Sequence, residues 1–364
     1  MFGRLRVKGN KIVGDNNHPV QLKGMSLFWS QWSTPFYNRK TISYLASKLK
    51  CTIIRAAMGA QNGQGGYLDG NSNREQAIHQ VVTVVDAAIR EDIYVIIDWH
   101  AHDVIQHRNQ ARHFFVSMAK KYKNTSNVIF EIYNEPINEQ WHEVKVYAES
   151  VIGAIRDTGA KNLIVVGTPF YCQHVDIASE NPITAFHNVA YSLHFYAGTH
   201  RDSERSRAQK ALDNGIALFV TEWGTCQADG NGNLDLNETA KWFRFMDENK
   251  LSWCNWSLND KPESASVLKS DIIHSRPAGP WTLNELTESG KFVFNKISNR
   301  SRSGRGRSSS RHKSRGRSSS HRKSRGRSSS KRNVRGRSNS RHKSRGRSSS
   351  KRKSRGKSSS SRHN

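Results

Sequence analysis

No stretch of this sequence is apolar enough to cross a membrane, so none of its helices is expected to span a bilayer. Cysteine is scarce. Cys51, Cys172, Cys226 and Cys254 form no Cys-x-x-Cys pair and no metal-ligand spacing, which argues against a zinc or iron–sulfur centre. Cys51 and Cys254 lie in apolar runs, where a free thiol acts as a small core residue. One disulfide between loops stays open at this level. The opening MFGRLRVKGNKIVG lacks the long apolar core of a secretion signal. The most telling shortage is of acidic residues. From Arg300 to Asn364 there are 26 Lys and Arg and no Asp or Glu. The remainder carries 32 basic residues against 30 acidic ones, so the net charge of +28 belongs to the tail and not to the body.

Two regions follow. Residues 1–298 are enough for one domain with a large core. Residues 299–364 have almost no apolar side chain to bury and are expected to be a disordered Arg/Ser-rich tail. Within the tail, blocks of ten such as RHKSRGRSSS, HRKSRGRSSS and KRNVRGRSNS recur from Ser301 to Ser360. This is low complexity and not a solenoid. Its spaced cations suit acidic polymers, bound through charge and weakened by salt. The Arg–Ser pattern also resembles the phosphorylatable tails of splicing factors.

The body alternates short apolar runs with longer amphipathic segments. After a hairpin around Gly9–Asn10, eight runs read as strands: 20–26, 52–58, 94–100, 128–135, 162–168, 189–196, 217–224 and 251–258. Helical patterns fall at 40–50, 74–91, 108–123, 143–158, 203–214 and 237–249, the last with Asn237 as its expected N-cap. Eight strand–helix repeats over about 240 residues predict a (β/α)8 barrel. The main rival, an open doubly wound sheet, would show a Gly-rich phosphate turn after its first strand, and GMSLFWSQW is not one. The Gly-rich NGQGGYLDG at 62–70 lacks the GK[ST] ending of a phosphate loop and is expected to shape a cleft wall.

Chemistry in such barrels sits at the carboxyl ends of the strands. There this sequence places Arg55, His100, Asn134, Glu135, His194, Tyr196, Glu222 and Trp256. Glu135 and Glu222 each end a buried-strand pattern, and two facing carboxyl groups are what glycoside hydrolysis by the common route requires. Trp32 and Trp256 are candidate platforms for the apolar face of a sugar. Trp99 and Trp223 are expected to pack. His100–Ala–His102 also matches the His-x-His of metal-dependent amidohydrolase barrels. It falls on the third strand here instead of the first, and that chemistry would leave the opposed glutamates unexplained, so no metal or organic cofactor is expected.

Residues 5–290 resemble family 5 glycoside hydrolases, most of all the bacterial-type endoglucanases also found in plant-parasitic nematodes. The resemblance rests on LKGMSLFWSQW (22–32), IIRAAMG (53–59), IIDWHAH (96–102), IYNEP (132–136), LHFYAGTH (193–200), TEWGT (221–225) and WSLNDKPESAS (256–266). The tail has no counterpart in that family. The resemblance implies a retaining endo-β-1,4-glucanase in which Glu135 is the acid/base and Glu222 the nucleophile. It implies that Arg55 and Tyr196 keep Glu222 ionised, that Asn134 holds the sugar 2-hydroxyl, and that His100 and His194 line the cleft. It further implies that Lys261 and Glu263 contact substrate hydroxyls, and that the protein is a secreted monomer acting on β-glucan. The alternatives are a related retaining hydrolase of mannan, xylan or mixed-linkage glucan, and a non-catalytic polyanion binder working through its tail.

Overall fold

The computed structural model describes residues 1–298; the expectation of a disordered tail concerns residues outside these. Two short antiparallel strands, β1 (Arg6–Lys8) and β2 (Lys11–Val13), form the expected hairpin, with Gly9 at φ 57° in its turn. Eight parallel strands then close a barrel: β3 (Lys23–Leu27), β4 (Ile53–Gly59), β5 (Tyr94–His100), β6 (Val128–Glu131), β7 (Ile164–Val166), β8 (Val189–Tyr196), β9 (Leu218–Gly224) and β10 (Trp253–Leu258). β10 pairs with β3 to complete the ring. All eight strands are fully or almost fully buried, which explains their continuous apolar runs in place of simple alternation.

Two apolar layers hold the barrel. One fills its interior with Leu22, Ile53, Ile96, Ile129, Val165 and Phe219. The other lies between the strands and the surrounding helices and includes Ile54, Val95, Ile97, Phe130, Ile164 and Val166. The helices follow the expected pattern: Arg39–Ser47, Asn71–Arg90, Arg108–Tyr122, Trp141–Asp157, Asp202–Asp213 and Leu236–Asn249. Asn71–Arg90 turns Val81, Val84, Val85 and Ala88 to the barrel at helical spacing. The last of the six corrects one expectation. Its N-cap is Asp235, whose carboxylate accepts the Glu238 N–H at 2.9 Å, and Asn237 lies inside the helix. Asp serves this role because its side chain reaches the unpaired amides of the first turn. Between β7 and β8 the connection is a short, irregular pair of turns, Pro169–Cys172 and Val175–Glu180, in which Phe170, Tyr171 and Cys172 all have positive φ. All four cysteines are buried and free, which closes the question of a disulfide. None of the described helices is long and apolar enough to cross a membrane.

Candidate active site

Strand alternation decides which side chains reach the barrel mouth. In β5, Ile96 belongs to the interior layer, and Asp98 and His100 follow at two-residue steps on that face. In β4 the step leads from Ile53 to Arg55, and in β6 from Ile129 to Glu131. β9 breaks the rule. Its pairing with β8 runs Ser192↔Phe219 and then His194↔Glu222, so β9 spends one extra residue there. This bulge lets consecutive residues, Thr221 and Glu222, both face inward. Thr221 Oγ1 meets the Ser192 hydroxyl and His194 Nε2, the latter at 2.9 Å. Trp223 then packs outward between Phe195, Phe243 and Trp253.

Both oxygens of Glu222 are held. Arg55 Nη1 donates to Oε2 at 3.0 Å and the Tyr196 hydroxyl to Oε1 at 2.7 Å. Tyr196 reaches this position because Gly224 has no side chain: a Cβ there would stand 2.4 Å from the tyrosine ring. Burial first, then the Glu222 charge, drives the Tyr196 hydroxyl well above its usual range, so it stays a donor. Arg55 itself is fully buried. It grips Glu131 through Nε at 2.8 Å and Nη2 at 3.2 Å, Asp98 through Nη2 at 3.0 Å, and the side-chain Oδ1 of Asn134 through Nη2 at 2.7 Å. The guanidinium is thus both the partner of Glu222 and the centre of a buried ion cluster. Burial opposes its charge, but three carboxylates outweigh that and raise its pKa further. Asp98 carries the cost. Burial, against the pull of Arg55 and with Glu222 adding to it, pushes its pKa up to about 7.

Glu135 sits just past β6 with its own partners. His194 Nδ1 lies 2.7 Å from Oε1 and His102 Nε2 lies 3.2 Å from Oε2. Burial favours the neutral acid, but hydrogen bonds and positive charge from the two imidazoles outweigh it and hold the carboxyl well below the usual range. Reciprocally, burial disfavours charge on His194 and His102, yet the glutamates raise both. Single ligand atoms of Glu135, His194 and Glu222 lie within 4.8 Å of one another. His100 is not part of that group. Its Nδ1 binds Asp98 at 2.7 Å and its ring stacks on Trp256 with centroids 5.0 Å apart. Burial, then the Arg55 charge, holds its pKa well below normal, so it is neutral. Among the described residues neither His100 nor His102 belongs to a group of three metal-type ligands.

Around the carboxylates lies a cleft. Its central cavity, about 400 Å³, is lined by Trp29, Trp32, Trp256, Lys261 and Glu263 beside Glu135 and Glu222. Gln61 and Gln64 supply the wall expected of the Gly-rich loop. Lys261 and Glu263 also pair with each other at 2.5 Å. A second cavity, about 450 Å³, shares Glu135, Glu222 and His102 and continues to Phe170, Tyr171 and Gln173. A third, about 430 Å³, extends past Trp32 and Lys261 to Ile273 and His274. Trp32 is half exposed; Trp256 is buried, stacked on His100, and reaches the cleft only as part of the cavity wall, whereas Trp99 and Trp223 are fully buried in the core. Asn134 lines the central cavity, and its amide Nδ2 has no hydrogen-bond partner among the described residues.

The structure brings every sequence-selected site residue to this cleft or its immediate support. The sequence reading did not select Asp98, Glu131 and Thr221. A signal existed for the first two: each is an acidic residue inside an apolar strand, two or four positions before a chosen residue, and a buried carboxylate needs a partner. Phe170 and Tyr171 carried no such signal, because the turn holding them follows no periodic pattern.

Comparison with known proteins agrees with this geometry. Endoglucanase Z of Dickeya dadantii is 48% identical over 293 residues, covering 79% of this chain. The chain spans 65% of that protein's length and 65% of a 43% identical endoglucanase of Clostridium saccharobutylicum. A solved structure from Cytophaga hutchinsonii is 49% identical, with a TM-score of 0.78 over 81% of this chain and 94% of the other. The catalytic domain of Thermobifida fusca endoglucanase Cel5A, a variant solved in complex with cellotetraose, is 30% identical with a TM-score of 0.76 over 81% and 97%. The family described as cellulase (glycosyl hydrolase family 5) matches residues 13–262, more than half of the sequence, and the chain belongs to that family.

Proposed function

We propose that this chain is a retaining endo-β-1,4-glucanase. The carrying observation is the separation of the two glutamates, which present oxygens within 4.8 Å of each other across an open cleft. Retaining pairs stand about 5–5.5 Å apart, whereas inverting pairs need about 6.5–9.5 Å to admit a water. Glu222, oriented by Arg55 and Tyr196, attacks the anomeric carbon as the bond to the leaving oxygen breaks. Glu135 gives that oxygen its proton, then takes one from the water that releases the glycosyl–enzyme ester. Hydrogen bonds join Glu135 to His194 and His102, so a proton can pass among the three. A neutral glycan that displaces water beside this cluster favours the uncharged pair and so moves the proton to the carboxyl. Asn134 Nδ2 is the free donor for the hydroxyl next to the reacting carbon.

Internal cleavage is supported by cavities on both sides of the carboxylates, which let a chain run through. Trp32 offers a face and Trp256 part of the wall on one side, with Phe170 and Tyr171 on the other. The cellotetraose complex of the Thermobifida relative supports β-1,4-glucan as the substrate. A polymer of this kind cannot enter a cell, so the protein is expected to act outside one.

Two variants test the roles. Glu222→Ala should lose turnover on soluble cellulose derivatives, and azide should restore part of it as a glycosyl azide. Glu135→Ala should lose about 10²–10⁴-fold on unactivated oligosaccharides while sparing aryl glycosides with good leaving groups. Equal losses on both substrates in Glu135→Ala would remove it as the acid. A panel of β-glycans reads the preference for glucan over mannan and xylan.

A further inference from the structure

The opposite end of the barrel holds a cavity that the hydrolytic reaction does not use. It measures about 550 Å³ and lies where the N-terminal hairpin docks beneath the starts of β7 and β8. Asn188 makes that junction. Its Oδ1 accepts the Val7 N–H at 2.9 Å, and its Nδ2 donates to the carbonyls of Leu5 and Lys161 at 3.2 and 3.0 Å. The docked hairpin brings Arg4 and Arg6 over Arg156 and Lys161. No acidic side chain lines the cavity. Among the described residues Arg6 has one exposed carboxylate neighbour, Asp15 at 3.7 Å, while Arg4, Arg156 and Lys161 have none within ion-pair distance. In a body whose basic and acidic residues nearly balance, such a cluster is not expected by chance.

Arg156 is the informative member. Every hydrogen bond of its guanidinium goes to backbone carbonyls: Ala160 at 3.1 Å, Asn162 at 3.0 Å, His187 at 3.0 Å and Asn188 at 3.4 Å. Burial without a counter-charge pulls its pKa down to about 10. Its dipolar partners orient the group but do not neutralise it, and an anion in the cavity would. Val7, Ala185 and Phe186 line the same cavity and give it an apolar portion. A flat ring in one cavity with cations suits a sugar that carries a carboxylate: the C–H face lies on the ring and the acid reaches the cations. A bare phosphate would leave the apolar portion wet.

We propose that this cavity is a second carbohydrate site, one that binds acidic polysaccharide of the polyuronate class. The choice of a glycan rests on the glycanase reading above; the anion preference rests on the cavity alone. Such a site would hold the enzyme on a matrix in which uronans and glucans lie together, with the catalytic cleft facing away and free.

The test uses the full-length protein and tetragalacturonate, titrated by calorimetry in about 0.3 M salt, where exposed charges more than a few ångströms apart are screened. Lys161→Glu should weaken binding at least tenfold and Phe186→Ala at least threefold. Both should keep wild-type turnover on soluble glucan; Lys161→Glu should also keep wild-type melting, while Phe186→Ala should melt lower because its ring packs on the core. Neutral cello-oligosaccharides and inorganic phosphate should compete poorly. Equal affinity in wild type and Lys161→Glu would assign the binding to other cations and overturn the proposal, as would no binding by wild type. Loss in Lys161→Glu with none in Phe186→Ala, or equal competition by phosphate or an oligonucleotide, would overturn the glycan class. Binding is read without turnover, so failure of the glucanase reading and failure of this site remain distinct results.

Discussion

Asp98 shows at the scale of one residue how the site stores charge. The barrel mouth buries three carboxylates, Asp98, Glu131 and Glu222, around one guanidinium, and burial leaves Asp98 with a pKa near 7 against about 3.9 when unfolded. Between those values the native state keeps a proton that the unfolded chain has lost. Stability therefore falls as pH rises through that window. Asp98→Asn does not titrate and should lack this fall. Urea unfolding at pH 5 and pH 7 should show wild type losing on the order of 2 kcal/mol more than the variant. Identical pH dependence in the two proteins would mean that Asp98 is ionised throughout. The same substitution leaves Arg55 its bonds to Glu131 and Glu222, so residual hydrolysis is expected.

At the scale of an element, β9 carries the nucleophile candidate and the space its partner needs. Gly224 ends the strand beside the Tyr196 ring, where an added Cβ would stand 2.4 Å from ring carbon. Gly224→Ala must therefore move the ring, the strand or both, at a typical overpacking cost of about 1–3 kcal/mol. The hydroxyl that holds Glu222 Oε1 moves with it. The expected outcome is a lower melting temperature together with at least a tenfold drop in kcat, while KM changes little. A variant that melts lower but keeps full kcat would separate Tyr196 from the orientation of Glu222.

At the scale of the whole molecule, the charge is unevenly distributed along the sequence. A body close to neutral carries the cleft, and 26 basic residues with no acidic ones run from Arg300 to Asn364. Deleting residues 301–364 should leave turnover on soluble glucan within about twofold. Elution from a polyanion column should shift to much lower salt, because the lost affinity is the release of counterions. Coincident elution of the full-length and shortened proteins would show that the repeats contribute no accessible charge.

Sequence alone determined the barrel. Eight buried-strand patterns separated by amphipathic ones leave few alternatives, since parallel strands need helical crossovers and both faces covered. It also singled out Glu135 and Glu222 as the candidate pair, because each is an acid at the end of an apolar run. It did not determine how Glu222 points. Reading alternate residues on from Phe219 sends Thr221 and Trp223 inward and Glu222 out; the bulge opposite Ser192–His194 leaves Thr221 inward but turns Glu222 in and Trp223 out. A bulge arises from the mismatch between neighbouring strands, a relation between segments distant in the chain, so no local period encodes it. Asp98 and Glu131 show locally as acids inside apolar strands, but their partners do not. Their roles exist only because barrel closure gathers three strands around Arg55, and there a buried charge must find its partner across the ring instead of along the chain.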